Sequence, residues 1–376
     1  MAGPVLVLNC GSSSIKAAVF ADGDHAVLRV GVERIGAGPV ARFSGDEADV
    51  TPPVDGHTAL LDWLLGEIAE RAGTPDAVGH RVVHGGLNFA DPVAVTPEVV
   101  GQLEQLIPMA RSHQPHNLAG IAAVAARWPD LPQTACFDTA FHRTIPEVRQ
   151  RFALPPELTA KGIRRYGFHG LSYEWIARRL PDFTDMADGK VVVAHLGNGA
   201  SLCAMRHRAS RATTMGFTPL DGLIMGNRPG TLDPGAVLYL FDELGYSTAE
   251  VRSLLFDQSG LLGVSHLSND MRSLLASEEP DAKMAVNLFV ERAVREIAAM
   301  AAALRGIDAL VFTGGIGQHA APIRAGIAKG CAWLGAMLDR HANTVNAPLI
   351  STEESGIEML VIPTDEEAMI AAHCRP

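Results

Sequence analysis

Residues 5–16, VLVLNCGSSSIK, carry the most informative pattern in this sequence. Its four leading apolar residues predict a buried strand, and the small polar residues after them predict a loop whose backbone N–H groups can approach an anion closely. Asn9 offers a neutral oxygen near a metal ion, and Lys16 offers a point charge. The segment therefore predicts a phosphate-binding loop at residues 9–16.

The sequence after this loop predicts a second strand rather than a helix. Residues 15–20 lead to Ala21-Asp22-Gly23-Asp24, a turn sequence that sends a strand back antiparallel. A Walker-type loop needs a following helix and a Gly-Lys-Ser/Thr ending, and that tripeptide does not occur in the sequence. The phosphate loop is therefore predicted to join two strands of a hairpin.

Length, charge and cysteine usage restrict the class of protein. A chain of 376 residues exceeds what one hydrophobic core usually supports, so two domains are expected. The net charge of −11 argues against nucleic acid or an anionic membrane as partner. Five scattered cysteines, the absence of a signal-like N-terminus and the absence of a membrane-spanning apolar run predict a cytoplasmic location.

The opening pattern occurs a second time at residues 191–206, again as a strand, a Gly/Ser loop and a returning strand. Apolar stretches at residues 25–32 and 212–217 would add a third strand to each half. Helical periodicity appears at residues 59–71, 118–127 and 284–304. These patterns predict an α/β fold with two duplicated domains.

Proline-containing segments between residues 141 and 156 indicate a boundary between the two halves. We expect an N-terminal domain at residues 1–140, on the acid and phosphate side. A nucleotide-binding and dimerisation domain would follow at residues 141–365. The C-terminal helix, residues 366–376, is expected to pack back on the first domain.

A third glycine-rich loop, Thr313-Gly314-Gly315-Ile316-Gly317-Gln318-His319-Ala320, follows the apolar run at residues 309–312. Taken alone it also fits a dinucleotide fingerprint, with Asp339 as the ribose acid. However, that fingerprint normally opens its domain, whereas this loop follows two other anion loops. The preferred interpretation is a strand-to-helix turn that lies against the adenosine of a nucleotide.

Nine segments, in order, resemble those of the acetate kinase family, within the actin, sugar kinase and heat-shock ATPase superfamily. They are LVLNCGSSSIK, GHRVVHGG, FDTAFH, RRYGFHG, AHLGNGAS, MGFTPLDGLIMGNRPG, SGLLGVS, FTGGIG and VIPTDEE. The resemblance implies two ribonuclease H-like (actin-like ATPase) domains with a nucleotide cleft between them. It also implies ATP and ADP as co-substrates, acetate and acetyl phosphate as the other pair, Mg²⁺ with Mn²⁺ as a substitute, and a homodimer.

The resemblance assigns roles to individual residues. The catalytic set is Arg81, Asp138, His169 and Arg228; the acid-binding set is Arg81, Val83, Ser112, Phe168 and Pro219; the metal residues are Asn9 and Glu366. The nucleotide-binding set is Ser12, Ser14, Lys16, His195, Leu196, Gly197, Asn198, Gly199, Asp270, Met271, Arg272, Gly315, Ile316, Gly317, Gln318 and His319. The residue types fit these roles, because a planar arginine fork suits a carboxylate and magnesium takes oxygen ligands. Asp138 is interpreted as an orienting group, with a role as base secondary, because acetate is already ionised at neutral pH.

His80 and His84 do not predict a metal site. Val82 and Val83 favour a strand there, and four residues along a strand separate side chains by roughly 13 Å. By spacing alone, Asp270 and Arg272 would pass for an exposed salt-bridge pair.

Several residues depart from the family pattern. Arg111-Ser112 stands where the family usually carries Pro-Leu, so Ser112 makes propionate or another short-chain acid an alternative substrate. Gln318-His319 replaces Glu-Asn, which leaves the nucleotide base preference open, and Leu87 replaces an acid. A different class, an actin-like or chaperone-like ATPase, would need no arginine pair, so Arg81 and Arg228 argue against it.

Overall fold

The predicted hairpin is present in the computed structural model, which describes residues 3–375. Strand β1 (Val5–Cys10) pairs antiparallel with β2 (Ser14–Phe20), with Cys10 opposite Ile15. The four apolar residues at the start of β1 are each at most 2% exposed. A continuous apolar run of this kind is typical of a strand covered on both faces.

Within the described residues, the first sheet contains seven strands in the order β4-β3-β2-β1-β5-β7-β6. Strands β1, β5 and β7 are parallel neighbours, whereas β1 to β4 form antiparallel pairs. The further strands are β3 (Ala26–Glu33), β4 (Val40–Phe43), β5 (Ala77–Val82), β6 (Val93–Ala94) and β7 (Gln133–Phe137).

The second sheet repeats this arrangement with five strands among the described residues, in the order β10-β9-β8-β11-β12. They are β8 (Lys190–Leu196), β9 (Ala200–Arg206), β10 (Ala209–Thr213), β11 (Ala309–Thr313) and β12 (Glu358–Val361). An antiparallel meander is again followed by two parallel strands, as in β3-β2-β1-β5-β7. The predicted duplicated α/β fold is confirmed.

The predicted third strand of the second half was placed wrongly at residues 212–217. The strand is β10, which ends at Thr213. Beyond it, the Arg165 guanidinium donates to the carbonyl oxygens of Thr213, Thr214 and Met215. These carbonyls therefore bind a side chain from another segment, and an apolar pattern cannot reveal such a partner.

The three helices predicted by periodicity are α1, α3 and α11. Helix α3 begins four residues earlier than predicted and α11 begins four earlier, each with a proline in its first turn. Proline suits that position because its missing N–H would have no partner inside the helix. The helices are α1 (His57–Ala72), α2 (Pro97–Glu104), α3 (Gln114–Arg127), α4 (Glu147–Gln150), α5 (Pro156–Ala160), α6 (Gly170–Arg179), α7 (Pro234–Asp242), α8 (Thr248–Asp257), α9 (Gly260–Ser265), α10 (Met271–Leu275), α11 (Pro280–Leu304), α12 (Gly314–His319), α13 (Ala321–Gly330), α14 (Arg340–Thr344) and α15 (Glu366–His373). Within residues 3–375, no helix is long and apolar enough to cross a membrane.

The chain groups into two units, each containing one of the sheets. One unit comprises the residues up to Phe141, Gly170–Ser172 and the residues from Asp365 onward; the other comprises His142–His169 and Tyr173–Thr364. Within the first unit, the C-terminal helix α15 packs against β1, β2 and β5. The start of α15 therefore lies in the same unit as the first hairpin.

Candidate functional site

The first hairpin loop is shorter than predicted. Asn9 and Lys16 pair across β1 and β2, so both are strand residues and only Gly11, Ser12 and Ser13 lie between the strands. The Gly11 N–H donates to the Ser14 carbonyl at 2.8 Å, which closes the turn. Because cross-strand partners share a face of the sheet, Asn9 and Lys16 lie on the same side.

Arg81 lies in β5, next to β1, and its guanidinium is held by two neighbouring segments. Its Nε and Nη2 donate to Asp138 Oδ1 and Oδ2 at 3.0 and 2.5 Å, and its Nη1 donates to Asn9 Oδ1 at 3.1 Å. Asp138 directly follows β7, and its side chain is only 2% exposed. Side chains from three parallel strands thus meet near the carboxyl ends of those strands, where ligands bind in open α/β sheets.

Glu366, at the start of α15, joins this cluster. Its Oε2 lies 3.8 Å from Arg81 Nε. Burial, together with the charges of Asp138 and Glu367, raises the pKa of Glu366 to about 7, although Arg81 and Lys16 oppose the shift. Burial alone would lower the pKa of Arg81, but the surrounding carboxylates, chiefly Asp138 and Glu366, outweigh it and raise that pKa.

The donor set of this cluster fits a magnesium ion. Asn9 and Glu366 provide hard oxygen atoms, and Glu366 lies among carboxylates whose negative charge a divalent cation would offset. Asp138 is engaged through both oxygens by Arg81, which suits an orienting role better than ligation. The described residues contain no group of three or more His, Cys, Asp or Glu side chains suited to a metal ion. Magnesium would therefore depend on water or phosphate oxygens for its other ligands.

His80 and His84 have structural partners. His80 Nε2 lies 2.7 Å from Gln133 Oε1, and His84 Nδ1 accepts from the Gly86 N–H at 2.9 Å. Burial lowers the pKa of each imidazole to about 4, although the Gln133 contact opposes the shift at His80. Both rings are therefore neutral at pH 7.

The residues predicted to line the acid pocket are divided between the two units. In the first, Val83 is buried and its N–H donates to Asn117 Oδ1, whereas Ser112 is exposed and its Oγ lies 2.8 Å from His113 Nδ1. In the second, the Phe168 carbonyl lies 2.9 Å from His142 Nε2. The carbonyl of Pro219 accepts from Arg228 Nη1 at 3.4 Å.

His169 and His195 form a stacked pair in the second unit, with ring centroids 4.3 Å apart. His169 has a left-handed backbone (φ 58°), which places it at the start of α6. Its Nδ1 lies 2.9 Å from Ser201 Oγ, and Ser201 Oγ lies 2.5 Å from the Tyr173 hydroxyl. Burial raises the pKa of Tyr173, so this hydroxyl keeps its proton. The buried pair from α6 and β9 therefore fixes the His169 ring.

The second hairpin loop repeats the first. Leu196 pairs with Ala200, and the Gly197 N–H donates to the Gly199 carbonyl at 3.1 Å. A Cβ on Gly199 would lie 3.1 Å from His169 Nε2. The Asn198 carbonyl accepts from the Gly226 N–H, which ties the loop to the segment after β10. His169 and the loop residues predicted to bind nucleotide thus lie together.

The third glycine loop begins α12 beside the second hairpin. Gly314 has φ 75°, and a Cβ there would lie 2.7 Å from the Leu196 carbonyl oxygen, so a side chain does not fit. A Cβ at Gly315 would meet open space. The loop residues from Gly315 to His319 therefore lie in α12, next to the end of β8.

Arg324 supports this turn, and sequence reasoning missed it. Its fully buried side chain donates from Nη1 to the carbonyls of Gly317 and Gln318, both at 2.8 Å, and from Nε to Asn343 Oδ1. Burial lowers its pKa to about 10. The sequence does contain a signal for this buried arginine, because it lies between Ile323 and Ile327 on the apolar face of α13.

Asp270 and Arg272 form the close pair that their spacing indicates. Asp270 Oδ1 accepts from the Arg272 N–H at 3.2 Å and caps α10, and the two side chains approach to 3.3 Å. The Arg272 side chain is 89% exposed, whereas Met271 is buried. Arg272 is therefore accessible to a ligand.

Residues 4–372 match the model of the acetokinase family. Among curated proteins, the chain is 51% identical over 391 aligned positions to the acetate kinase of Rhodopseudomonas palustris strain ATCC BAA-98 / CGA009, covering 99% of this chain and 98% of that protein. The crystal structure of Porphyromonas gingivalis acetate kinase matches with a TM-score of 0.90 and 35% identity, covering 99% of both chains. A propionate kinase from Francisella tularensis matches with a TM-score of 0.93 and 37% identity, covering 99% of this chain and 98% of that one.

Proposed function

The chain belongs to the acetokinase family, and from this membership we propose that it transfers the γ-phosphoryl group of ATP to acetate. The products are acetyl phosphate and ADP, and the reverse reaction makes ATP. The observation that carries the proposal is the arrangement of Arg81. Its guanidinium is fixed by hydrogen bonds to Asp138 and Asn9, and it keeps N–H donors that these bonds do not use.

A guanidinium has five N–H donors, and the contacts of Arg81 to Asp138 and Asn9 use three of them. One donor remains on each Nη atom. These two donors are available for the oxygens of a carboxylate or phosphoryl group. We infer that Arg81 binds the acid, with Asp138 as its orienter and with Val83, Ser112, Phe168 and Pro219 around the acyl group.

The transfer itself requires no base. An acetate oxygen attacks the γ-phosphorus, the bond from phosphorus to the β,γ-bridging oxygen breaks, and ADP leaves with that oxygen. Acetate is ionised at neutral pH, so no proton is removed. Negative charge spreads over the three equatorial oxygens, and Arg81, Arg228 and His169 are the groups proposed to stabilise it.

The nucleotide would be held by both hairpin loops, the start of α12 and α10. Lys16, Ser12 and Ser14 in the first hairpin, and residues 195–199 in the second, would supply donors for the phosphates. Asp270, Met271 and Arg272 with Gly315 to His319 would surround the adenosine. Asn9 and Glu366 would hold Mg²⁺, whose charge would offset that of the phosphates. Replacement of Mg²⁺ by Mn²⁺, a homodimer and a cytoplasmic location belong to the same proposal.

Trapping of the acyl phosphate tests this function. The purified chain is incubated with MgATP and formate, acetate, propionate or butyrate at equal concentration, and the product is converted to its hydroxamate. Acetate should give the highest rate. A higher rate with propionate would favour the second candidate, which the exposed Ser112 and the similarity to a propionate kinase support. ADP formation that does not depend on any acid would contradict both.

A further inference from the structure

Three carbonyl oxygens of the first hairpin turn are held by residues outside the turn. Asn117 Nδ2 donates to the Cys10 carbonyl at 2.8 Å, and His57 Nε2 lies 3.0 Å from the Gly11 carbonyl. The Ile35 N–H donates to the Ser13 carbonyl at 3.3 Å. The carbonyl side of the turn is therefore anchored to the protein.

The opposite side of these peptides is open. No described residue accepts a hydrogen bond from the N–H of Ser12 or of Ser13. The chain has no cis peptide bond in its described part, so the N–H of each peptide points away from its own carbonyl. When His57 holds the Gly11 carbonyl, the Ser12 N–H of the same peptide must face the other way.

The segment that carries His57 is itself held in place, so the ring is well positioned to hold the Gly11 carbonyl. It is the first residue of α1, and Asp55 Oδ1 accepts from the N–H groups of Gly56 and Gly36 at 2.6 and 2.8 Å. Gly36 follows Ile35, whose N–H holds Ser13. Hydrogen bonds through Asp55 therefore connect the start of α1 to the turn after β3, and both segments contact the hairpin turn.

The direction of the hydrogen bond between His57 and Gly11 follows from the acceptor. The Gly11 carbonyl can only accept, so Nε2 carries the proton. Nδ1 is buried and has no hydrogen-bond partner among the described residues, and the His116 ring lies 4.6 Å away between centroids. His57 therefore donates from Nε2 to the Gly11 carbonyl.

We propose that His57 is a positioning residue for the ATP phosphates: its bond to the Gly11 carbonyl fixes the Gly11–Ser12 peptide, so that the Ser12 N–H faces the phosphate. This inference rests on the proposed function, since it takes the hairpin turn as a phosphate site. His57 does not touch the substrate. Its effect should therefore appear in nucleotide binding and not in acid binding.

The test compares His57→Phe, which keeps a ring but removes the donor, with His57→Gln, whose amide nitrogen can still reach the Gly11 carbonyl. His25→Phe, at an exposed position in the same unit, is the matched control. Steady-state ADP formation gives KM for MgATP and for acetate separately. His57→Phe should raise KM for MgATP about three- to tenfold, the effect of one hydrogen bond, and leave KM for acetate unchanged. His57→Gln and His25→Phe should stay within about twofold of the parent protein.

A purely structural role would give a different pattern. Equal increases in both KM values, or failure of His57→Gln to restore nucleotide binding in a folded protein, would overturn the inference. If His57→Phe does not fold, His57→Asn, which is too short to reach Gly11, provides the same comparison with the same expected KM values. Absence of acetate-dependent ADP formation in the parent protein would overturn the proposed function and this inference with it. Normal activity in the parent with an unchanged KM in His57→Phe would overturn the inference alone.

Discussion

Replacement of Arg81 should destabilise the first unit through the charge that it leaves behind. Asp138 is 2% exposed and accepts two charge-assisted hydrogen bonds from Arg81, at 3.0 and 2.5 Å. Removing one partner of a buried ion pair costs about 3–5 kcal/mol, because the other charge stays buried without compensation. We therefore expect Arg81→Met to lower the unfolding free energy of the first unit by about 3–5 kcal/mol at pH 7.

Adding Asp138→Asn to this variant should recover most of the loss, because a neutral amide is much cheaper to bury than a carboxylate. Activity should not recover, since the proposed acid-binding fork is still absent. The matched control is Arg42→Met, which breaks the exposed Arg42–Asp49 pair in the same unit and should cost less than about 1 kcal/mol.

The unfolding free energy is measured in urea without substrates, with hydrogen exchange of the amides in β5 and β7 as the probe of the first unit. The acyl hydroxamate assay measures activity on the same samples. A double variant as unstable as Arg81→Met, or one that regains acid-dependent phosphoryl transfer, would contradict these roles of Arg81 and Asp138.

Three further outcomes are expected. Burial lowers the pKa of His80 in the folded state to about 4, so the stability that depends on its neutral form is present above pH 6.5 and is lost as the pH falls toward 4. His80→Gln should therefore reduce the slope of unfolding free energy against pH between about pH 4 and 6.5 by up to about 1.4 kcal/mol per pH unit. An unchanged slope in urea titrations would contradict this. Arg324→Met removes the hydrogen bonds to the carbonyls of Gly317 and Gln318 at the end of α12, so KM for MgATP should rise about tenfold while KM for acetate stays constant. An equal rise in both KM values would argue against a role at the nucleotide. Gly199→Ala places a Cβ 3.1 Å from His169 Nε2, so kcat should fall about tenfold with little change in the melting temperature; a normal kcat would mean that the ring position is unimportant.

The sequence predicted those parts of the fold that local patterns encode. Both hairpins, the strand before Gly314 and the periodic helices follow from the alternation and spacing of apolar residues over short stretches. The end of β10 was missed because the carbonyls of Thr214 and Met215 bind Arg165, a residue from a distant segment. Long-range polar partners of this kind leave no periodic signal.

The sequence predicted residues of the candidate site but not the contacts among them. The family resemblance named Arg81, Asp138 and Asn9, yet the bonds among them join residues 57 and 72 positions apart and appear only after three strands align. His57 and Arg324 were missed for the same reason. Each acts on backbone carbonyls of another segment, and backbone atoms carry no sequence signature.

The reverse reaction, in which acetyl phosphate and ADP give ATP, is a direct test of the proposed phosphoryl transfer. The purified protein is mixed with acetyl phosphate, ADP and Mg²⁺, and ATP is measured by luminescence, with samples lacking acetyl phosphate or Mg²⁺ as controls. We expect ATP in proportion to the acetyl phosphate consumed, and loss of that activity in Arg81→Met. Release of inorganic phosphate without formation of ATP would contradict it.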